Sequence, residues 1–337
     1  MKVGILGGGN ISDTHARAAL GIPGVTIAAV YGTNREKAAR LAQAYGGAVY
    51  DDLDQFLDHR PLDIVAIGSP SGLHADQAIA AISRGLHVLS EKPLDVTTAK
   101  VDSVIAAAAR GGVKVGVFFQ DRLKPDIAAM KAMIASGRLG TPIFAAGHVR
   151  WYRPPEYYGT SRWRGTWALD GGGALMNQAI HTVDVLQWLF GPVAQVGART
   201  ATRLHPIKVE DTAAAVLEFE SGALGIIEAT TSSYPGYARR VDVSGSEGTL
   251  ILDGDRLVAT DLRGHEQAKT APPEPPPENA ASATVSDSIP HQRIFEDFIR
   301  AIRSDTVPVC DAREARPSVA IIEAIYRSAR SGTFERP

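Results

Sequence analysis

Two groups of polar residues have the types and spacing that proton transfer requires. Lys92 stands in Glu91-Lys92-Pro93, directly after the apolar run 87–90, and His181 lies four residues after Asn177. A lysine can polarise a developing carbonyl, and a histidine can exchange a proton near neutral pH. These residues could oxidise an alcohol if a hydride acceptor were bound beside them.

The second group lies on one predicted helix, from Ala174 to Phe190. Asn177, His181, Asp184 and Trp188 share one face of it, and Asp184 is close enough along that face to orient the His181 ring. An asparagine cannot accept a proton, so the base is either His181 or Lys92. We predict no metal there, because the helix lacks H-E-x-x-H, a paired histidine and a cysteine cluster.

A glycine-rich segment, Gly7-Gly8-Gly9-Asn10-Ile11-Ser12, separates the first apolar run from the first predicted helix. In this position Gly7 permits a tight turn, Gly9 lets a pyrophosphate approach, and the helix N-terminus supplies amide donors. The third small position is Ser12 rather than glycine. We predict a dinucleotide site that includes Gly7, Gly9, Asn10 and Ile11.

The second predicted strand is followed by Gly32-Thr33-Asn34-Arg35, where a carboxylate usually binds the ribose of NAD. Without an acid to repel a 2′-phosphate, either NAD or NADP can be the cofactor. Thr33 and Arg35 could contact that phosphate, although a simply solvated Arg35 is an equal alternative.

Other candidates are placed by their positions at strand ends, in turns or in an aromatic and arginine-rich segment. Aromatic rings stack on sugars, and arginine binds carboxylate or phosphate with two parallel hydrogen bonds. The alternative is that these aromatic residues pack the domain junction. The further cofactor candidates are Ser69, Pro70, His74, Glu91, Lys92, Gln120, Trp163 and Arg164. The substrate candidates are Lys92, Gln120, Tyr152, Arg153, Asn177 and His181.

The elements that must position these residues change character after Gln120. Before it, six short apolar runs alternate with helical segments, which predicts an N-terminal Rossmann domain with a doubly wound parallel sheet at 1–121. After it, runs of strands predict an α+β domain with a largely antiparallel open sheet at 122–337, for substrate binding and oligomerisation. Residues 270–285 are rich in proline and are predicted to form an exposed loop.

The overall composition narrows the class of protein. The 337 residues carry a net charge of −2 and one cysteine. This charge gives no support to nucleic-acid or membrane binding, and we expect no apolar run near the roughly 20 residues of a membrane helix. We therefore expect a cytoplasmic α/β protein whose ligand is a small molecule.

Taken together, these motifs resemble the Gfo/Idh/MocA oxidoreductase family. The resemblance rests on the glycine segment, Ser69-Pro70-Ser71-Gly72-Leu73-His74, Glu91-Lys92-Pro93, and Asp170-Gly171-Gly172-Gly173 before the helix with His181. It implies hydride transfer between a nicotinamide and a sugar, cyclitol or nucleotide-sugar hydroxyl, a cis Lys92–Pro93 bond, and a homodimer or homotetramer. In this family the residue at Asn177 is commonly aspartate.

Segments 150–158 and 163–177 also resemble members that oxidise UDP-N-acetylglucosaminuronate at C3, whereas 120–125 departs from their pattern. Two other functions stay open. One is redox-neutral elimination or hydrolysis of a glycoside through transient oxidation, and the other is a non-catalytic sensor of dinucleotide or sugar.

Overall fold

The computed structural model of the protein describes residues 1–264 and 287–337. The described chain divides into two compact units. The first contains Met1–Gln120 and residues 287–316, and the second contains residues 121–264 and Pro317–Pro337. The predicted proline-rich loop at 270–285 lies outside the described residues.

In the described part of the first unit, six parallel strands form one sheet in the order β3-β2-β1-β4-β5-β6. The order reverses between β1 and β4, which is where open α/β sheets leave a crevice for ligands. The strands are β1 Lys2–Leu6, β2 Thr26–Tyr31, β3 Ala48–Tyr50, β4 Ile64–Ile67, β5 His87–Ser90 and β6 Val115–Val117. The predicted Rossmann fold is confirmed.

Helices connect these strands, because parallel strands require crossovers. Their apolar faces are rich in alanine, as in Ala16, Ala18 and Ala19 of the first helix, so helix and sheet pack closely. The helices are Asn10–Leu20, Arg35–Tyr45, Leu53–Leu57, His74–Ile82 and Thr98–Gly111.

A helix from the C-terminal part of the chain, Ile289–Arg303, belongs to the first unit. It packs against the helix Asn10–Leu20 and buries Ile294, Phe295 and Phe298. The sequence analysis assigned the whole stretch 122–337 to the second domain. The difference arises because this packing joins segments that are far apart in the chain, which local patterns do not reveal.

The second unit contains a seven-stranded sheet among its described residues, in the order β13-β12-β11-β7-β10-β9-β8. Its neighbouring pairs are antiparallel except β7 with β10, so the largely antiparallel sheet is confirmed. The strands are β7 Pro142–Arg150, β8 Val193–Ala201, β9 Thr212–Phe219, β10 Leu224–Thr230, β11 Arg240–Gly245, β12 Gly248–Asp253 and β13 Arg256–Leu262. Strands β7, β12 and β13 were not predicted.

The helices of this unit include Pro125–Ala135, Pro155–Gly159 and Ile180–Phe190, and a further helix spans Ala312–Ser331. The predicted single helix from Ala174 to Phe190 differs in its first turn. Ala174–Ala179 is π-helical, and the α-helix begins at Ile180. The wider turn changes the angle between Asn177 and the residues after Ile180, and such turns are frequent at functional sites.

Candidate active site

The glycine segment lies where β1 ends and the helix Asn10–Leu20 begins. Gly7 has a φ of 130°, and a Cβ there would lie 2.5 Å from Ser12 Oγ and 2.8 Å from the Gly68 carbonyl oxygen. Only glycine fits this position. A Cβ at Gly9, in contrast, would meet nothing within 4 Å. The backbone is therefore tightly held at Gly7 and open at Gly9, as close approach of a phosphate requires.

An open cleft of about 620 Å³ borders this segment. Its polar and glycine lining comes from two neighbouring helices and the turn before the first, and comprises Gly8, Gly9, Asn10, Asp13, Arg17, Lys37 and Arg40. Gly9 caps the helix without a side-chain hydrogen bond, so the first turn offers main-chain donors in a favourable dipole. These residues fit the pyrophosphate of a dinucleotide.

The turn after β2 begins with Gly32, and Thr33 and Asn34 are exposed. Asn34 caps the next helix, because its side chain accepts from the Lys37 N–H at 3.0 Å. Arg35 lies 3.1 Å from Asp51, with both side chains largely exposed. Exposed pairs of this kind are weak, so Arg35 can exchange Asp51 for an anion.

Lys92 follows the end of β5 after one residue, Glu91, at the carboxyl edge of the sheet, and it is half-buried. The Lys92–Pro93 peptide bond is cis, as the family resemblance implied. Within the same sheet β5 pairs with β4, which in turn pairs with β1. Lys92 and Gly7 are therefore both placed by strand ends at one edge of the sheet.

Glu91 was predicted as a cofactor contact, but its carboxylate is buried in the first unit. Its Oε1 lies 3.0 Å from His15 Nε2 and 3.4 Å from His291 Nε2, and its Oε2 accepts from the Lys92 N–H at 3.2 Å. The sequence analysis missed both histidines. For His15 the sequence offered one indication. A polar residue on the apolar face of the first helix becomes buried and then needs a hydrogen-bond partner.

His74 and Ser69 are tied into the turns at the same edge. The His74 ring nitrogens contact the carbonyl oxygens of Pro93 at 2.7 Å and Ser69 at 2.8 Å, and the ring is buried. Ser69 donates to Gln77 Oε1 at 2.6 Å, and Pro70 precedes the 3₁₀ turn Ser71–Leu73. His74 thus links the turn after β4 to the turn that carries Lys92.

Gln120 ends the first unit, shortly after β6. Its Oε1 is buried and has no hydrogen-bond partner within the described residues. Because an unpartnered buried oxygen is costly, this atom is suited to accept from a bound ligand.

In the second unit, Asn177 lies on the π-helical turn and donates to Asp170 Oδ1 at 2.5 Å. The glycines that follow Asp170 are required by close packing. A Cβ at Gly173 would lie 1.9 Å from the Glu210 carbonyl oxygen. Glu210 also accepts from the Leu175 N–H at 2.9 Å, so it holds the start of the turn that carries Asn177.

His181 lies on the first turn of the following α-helix, with Nδ1 3.8 Å from Asp121 Oδ2. Burial would raise the pKa of the Asp121 carboxyl, but the charges of Arg239 and Lys124, together with His181, hold that pKa well below its usual range. Asp121 is therefore an ionised neighbour of the imidazole, and the sequence analysis did not identify it.

The predicted role of Asp184 in orienting His181 is wrong. Arg122 binds both oxygens of the Asp184 carboxylate, at 2.8 and 2.7 Å, and Ser318 donates to it at 3.0 Å. Arg122 and Asp184 are fully buried. The carboxylate is thus committed to this pair rather than to the imidazole.

Aromatic residues and two arginines cluster beside Asn177. Arg153 is buried, donates to Gln178 Oε1 at 2.7 Å and lies 5.0 Å above the Trp151 ring. Arg164 lies 4.2 Å above the Tyr157 ring and 5.5 Å above that of Trp163. Tyr152 contacts Tyr234 edge to face at 5.2 Å. The cluster offers cationic forks and aromatic faces in one place.

The fold, the glycine segment and the position of Lys92 define a nicotinamide-dependent oxidoreductase. Two family models match the chain, "Oxidoreductase family, NAD-binding Rossmann fold" over residues 1–119 and "GFO/IDH/MocA C-terminal domain" over residues 127–251. The chain belongs to the Gfo/Idh/MocA oxidoreductase family.

Known relatives match almost the whole chain. The WlbA dehydrogenase from Bordetella pertussis, solved with NADH and UDP-GlcNAcA, is 34% identical with a TM-score of 0.89, covering 100% of this chain and 97% of that one. D-apiose dehydrogenase from Paraburkholderia graminis is 28% identical, covering 98% and 88% of the two chains. Inositol 2-dehydrogenase 2 from Saccharopolyspora erythraea is also 28% identical, covering 99% and 94%.

Among the residues that the structure describes, no helix is both long enough and apolar enough to cross a bilayer.

Proposed function

We propose that this protein is an NAD(P)-dependent dehydrogenase that moves a hydride between a ring hydroxyl of a sugar and the cofactor. The observation that carries the proposal is the position of Lys92, just past the end of β5 in the sheet whose β1 leads into the glycine segment. The relatives named above include an apiose dehydrogenase, an inositol dehydrogenase and a dehydrogenase solved with UDP-GlcNAcA, which supports the same class of substrate.

Different residues of the chain bind the cofactor, stabilise the substrate oxygen and take up the proton. Gly7, Gly9, Asn10 and Ile11 hold the pyrophosphate, and a bound nicotinamide supplies the hydride acceptor. Lys92 donates to the substrate oxygen and stabilises the charge that develops there. His181, whose Nδ1 lies 3.8 Å from the ionised Asp121 carboxylate, is suited to take up the hydroxyl proton, because an imidazole can serve as a general base.

We assign the sugar contacts to Tyr152, Arg153, Asn177 and Gln120, and the contacts of the cofactor's outer edge to Trp163 and Arg164. Arg153 and Arg164 stack on aromatic rings and point to a substrate with a carboxylate or phosphate. The WlbA dehydrogenase was solved with UDP-GlcNAcA, which supports an acidic nucleotide sugar as the first candidate substrate.

A substrate screen tests this function. Purified protein is mixed with NAD or NADP and with inositols, neutral hexoses, uronates and UDP-linked uronates, and reduced nicotinamide is followed by absorbance. We expect UDP-linked uronates to give the highest kcat/KM. Equal or better turnover of a neutral sugar or inositol would overturn the acidic substrate, and no reduction with any compound would overturn the dehydrogenase.

We also propose a cytoplasmic homo-oligomer that associates through the open face of the second sheet. On three neighbouring strands Phe144, Val216 and Leu224 expose 38%, 47% and 51% of their surface. Apolar patches on an antiparallel sheet commonly pack against a second copy. The single cysteine of the chain is consistent with a reducing compartment.

A further inference from the structure

Three side chains from distant parts of the sequence meet inside the first unit, and we call them the His15–Glu91–His291 cluster. His15 comes from the helix Asn10–Leu20, Glu91 follows β5, and His291 comes from the helix Ile289–Arg303. Their exposed fractions are 0%, 7% and 2%. His15 Nε2 and His291 Nε2 lie 3.0 Å and 3.4 Å from the same atom, Glu91 Oε1.

Aromatic rings surround the cluster. The Phe118 ring stacks on His15 with centroids 4.4 Å apart and lies 5.2 Å from the His291 ring. Phe295 contacts both Phe118 and His15 edge to face. A carboxylate among such apolar groups is stable only if hydrogen-bond donors compensate for the loss of water.

The two imidazoles supply that compensation. Burial would raise the pKa of the Glu91 carboxyl, but hydrogen bonds from His15 and His291 hold it well below its usual range. An ionised carboxylate only accepts, so each ring donates through Nε2–H. Burial lowers the pKa of His15, which keeps that ring neutral.

The same three residue types could hold a metal ion, and their donor atoms all lie within 4.8 Å of one another. Metal-bound histidines usually donate their other ring N–H to a carboxylate or a carbonyl. The Nδ1 atoms of His15 and His291 are buried and have no hydrogen-bond partner among the residues that the structure describes. The cluster therefore has the geometry of a hydrogen-bonded clamp rather than of a metal site.

The other carboxylate oxygen connects the clamp to the candidate site. Glu91 Oε2 accepts from the main-chain N–H of Lys92 at 3.2 Å, at the point where the chain leaves β5. The Glu91 N–H donates to the Ile67 carbonyl oxygen at 2.9 Å, which ties the same residue to the neighbouring strand. The orientation of Glu91 thus fixes the backbone of Lys92.

We propose that His15 and His291 are positioning residues, which act through Glu91 to hold Lys92 in its productive place. The proposal rests on the proposed function only in that Lys92 takes part in turnover. A misplaced catalytic group lowers the rate of the chemical step more than it weakens cofactor binding.

The test compares His291→Leu with His291→Gln, because the glutamine amide can still donate to Glu91 near the place of Nε2. We expect His291→Leu to lower kcat about 10-fold or more with the cofactor KM changed less than about 2-fold, and His291→Gln to regain most of the loss. Ile299→Ala, a buried change on the same helix, is the matched control for lost packing and should keep kcat near wild type.

Three outcomes would contradict the positioning role of the His15–Glu91–His291 cluster. They are an unchanged kcat in His291→Leu, an equal loss in the leucine and glutamine variants, or a loss of wild-type activity on dialysis against a chelator that zinc restores.

A second readout does not need turnover. Acetylation of Lys92 by acetic anhydride is measured by peptide mass spectrometry against exposed Lys37. The clamp predicts a changed Lys92 rate in His291→Leu and a near wild-type rate in His291→Gln, and the same rate in all three proteins would overturn it. If the acetylation rate of Lys92 changes in His291→Leu while no sugar is oxidised by wild type, the positioning role is supported and the proposed dehydrogenase function is rejected.

Discussion

Asn177 donates its side-chain amide to the carboxylate of Asp170, with Nδ2 and Oδ1 2.5 Å apart. The family resemblance implies aspartate at the position of Asn177 in other members. In this chain the Asn177 side chain instead satisfies the buried carboxylate of Asp170, which precedes the π-helical turn Ala174–Ala179. Under the proposed function, Asn177 therefore orients neighbouring groups, and His181 takes up the proton.

Asn177→Asp tests this relationship, because two carboxylates at such a distance cannot both ionise. In the folded variant the two carboxyl groups share one proton, which raises the pKa of the pair above the unfolded value of about 4. The variant therefore loses stability as pH rises from about 4 through that raised pKa. We expect its Tm deficit against wild type to grow as pH rises above about 4. Asn177→Ala adds no charge and should show a constant deficit, and a constant deficit in Asn177→Asp would contradict the assignment.

Glu210 makes a second pH-dependent contribution. Burial raises its pKa from 4.5 to about 7, against hydrogen bonds from Leu175 and Tyr326. The unfolded chain loses this proton first, so folding stability falls as pH rises from about 4.5 to about 7, by about 3 kcal/mol.

Glu210→Gln removes this titration while keeping an oxygen acceptor. Urea unfolding should show that the free energy of unfolding of the variant, relative to wild type, rises with pH across that window. A difference that does not change with pH would show that Glu210 stays ionised throughout.

The sequence predicts that Thr33 and Arg35 contact the 2′-phosphate when the cofactor is NADP. Arg35→Ala should weaken NADP binding about 5- to 10-fold, because one exposed charged contact is lost. Affinity for NAD should change less than about 2-fold. Fluorescence titration of the reduced cofactors measures both, with Arg110→Ala as the control. Equal losses for the two cofactors would contradict a 2′-phosphate site.

The exposed face of the second sheet is predicted to bury Leu224 in the oligomer. Leu224→Glu introduces a charge into that apolar patch, and we expect the mass measured by light scattering to fall to that of the monomer. Leu204→Glu, an exposed change outside these strands, is the control. An unchanged mass in Leu224→Glu would place the interface elsewhere.

Local patterns predict the first sheet well, because each strand is a short apolar run bounded by glycine or polar turns. Strand β7, Pro142–Arg150, was missed because Ala145, Ala146 and Gly147 are all buried, so the period of two is lost. When successive residues of a strand are buried on both faces of the sheet, apolar and polar residues do not alternate, so the sequence gives no strand pattern.

The site residues that could be predicted lie in local motifs, and those that could not depend on contacts between distant positions in the chain. Lys92 and the glycines could be found because a turn motif beside a strand is a local signal. The pair of Arg122 with Asp184 joins positions 62 residues apart, and His291 reaches Glu91 from the C-terminal part of the chain. No spacing rule connects such residues, so His181 was paired with Asp184, and its ionised neighbour Asp121 was not predicted.

Turnover of wild type and of Lys92→Ala shows whether Lys92 takes part in hydride transfer. With a substrate from the screen, wild type should produce reduced nicotinamide. Lys92→Ala should lose about 10²- to 10⁴-fold in kcat while binding cofactor with wild-type affinity. Turnover of Lys92→Ala at the wild-type rate would contradict the account.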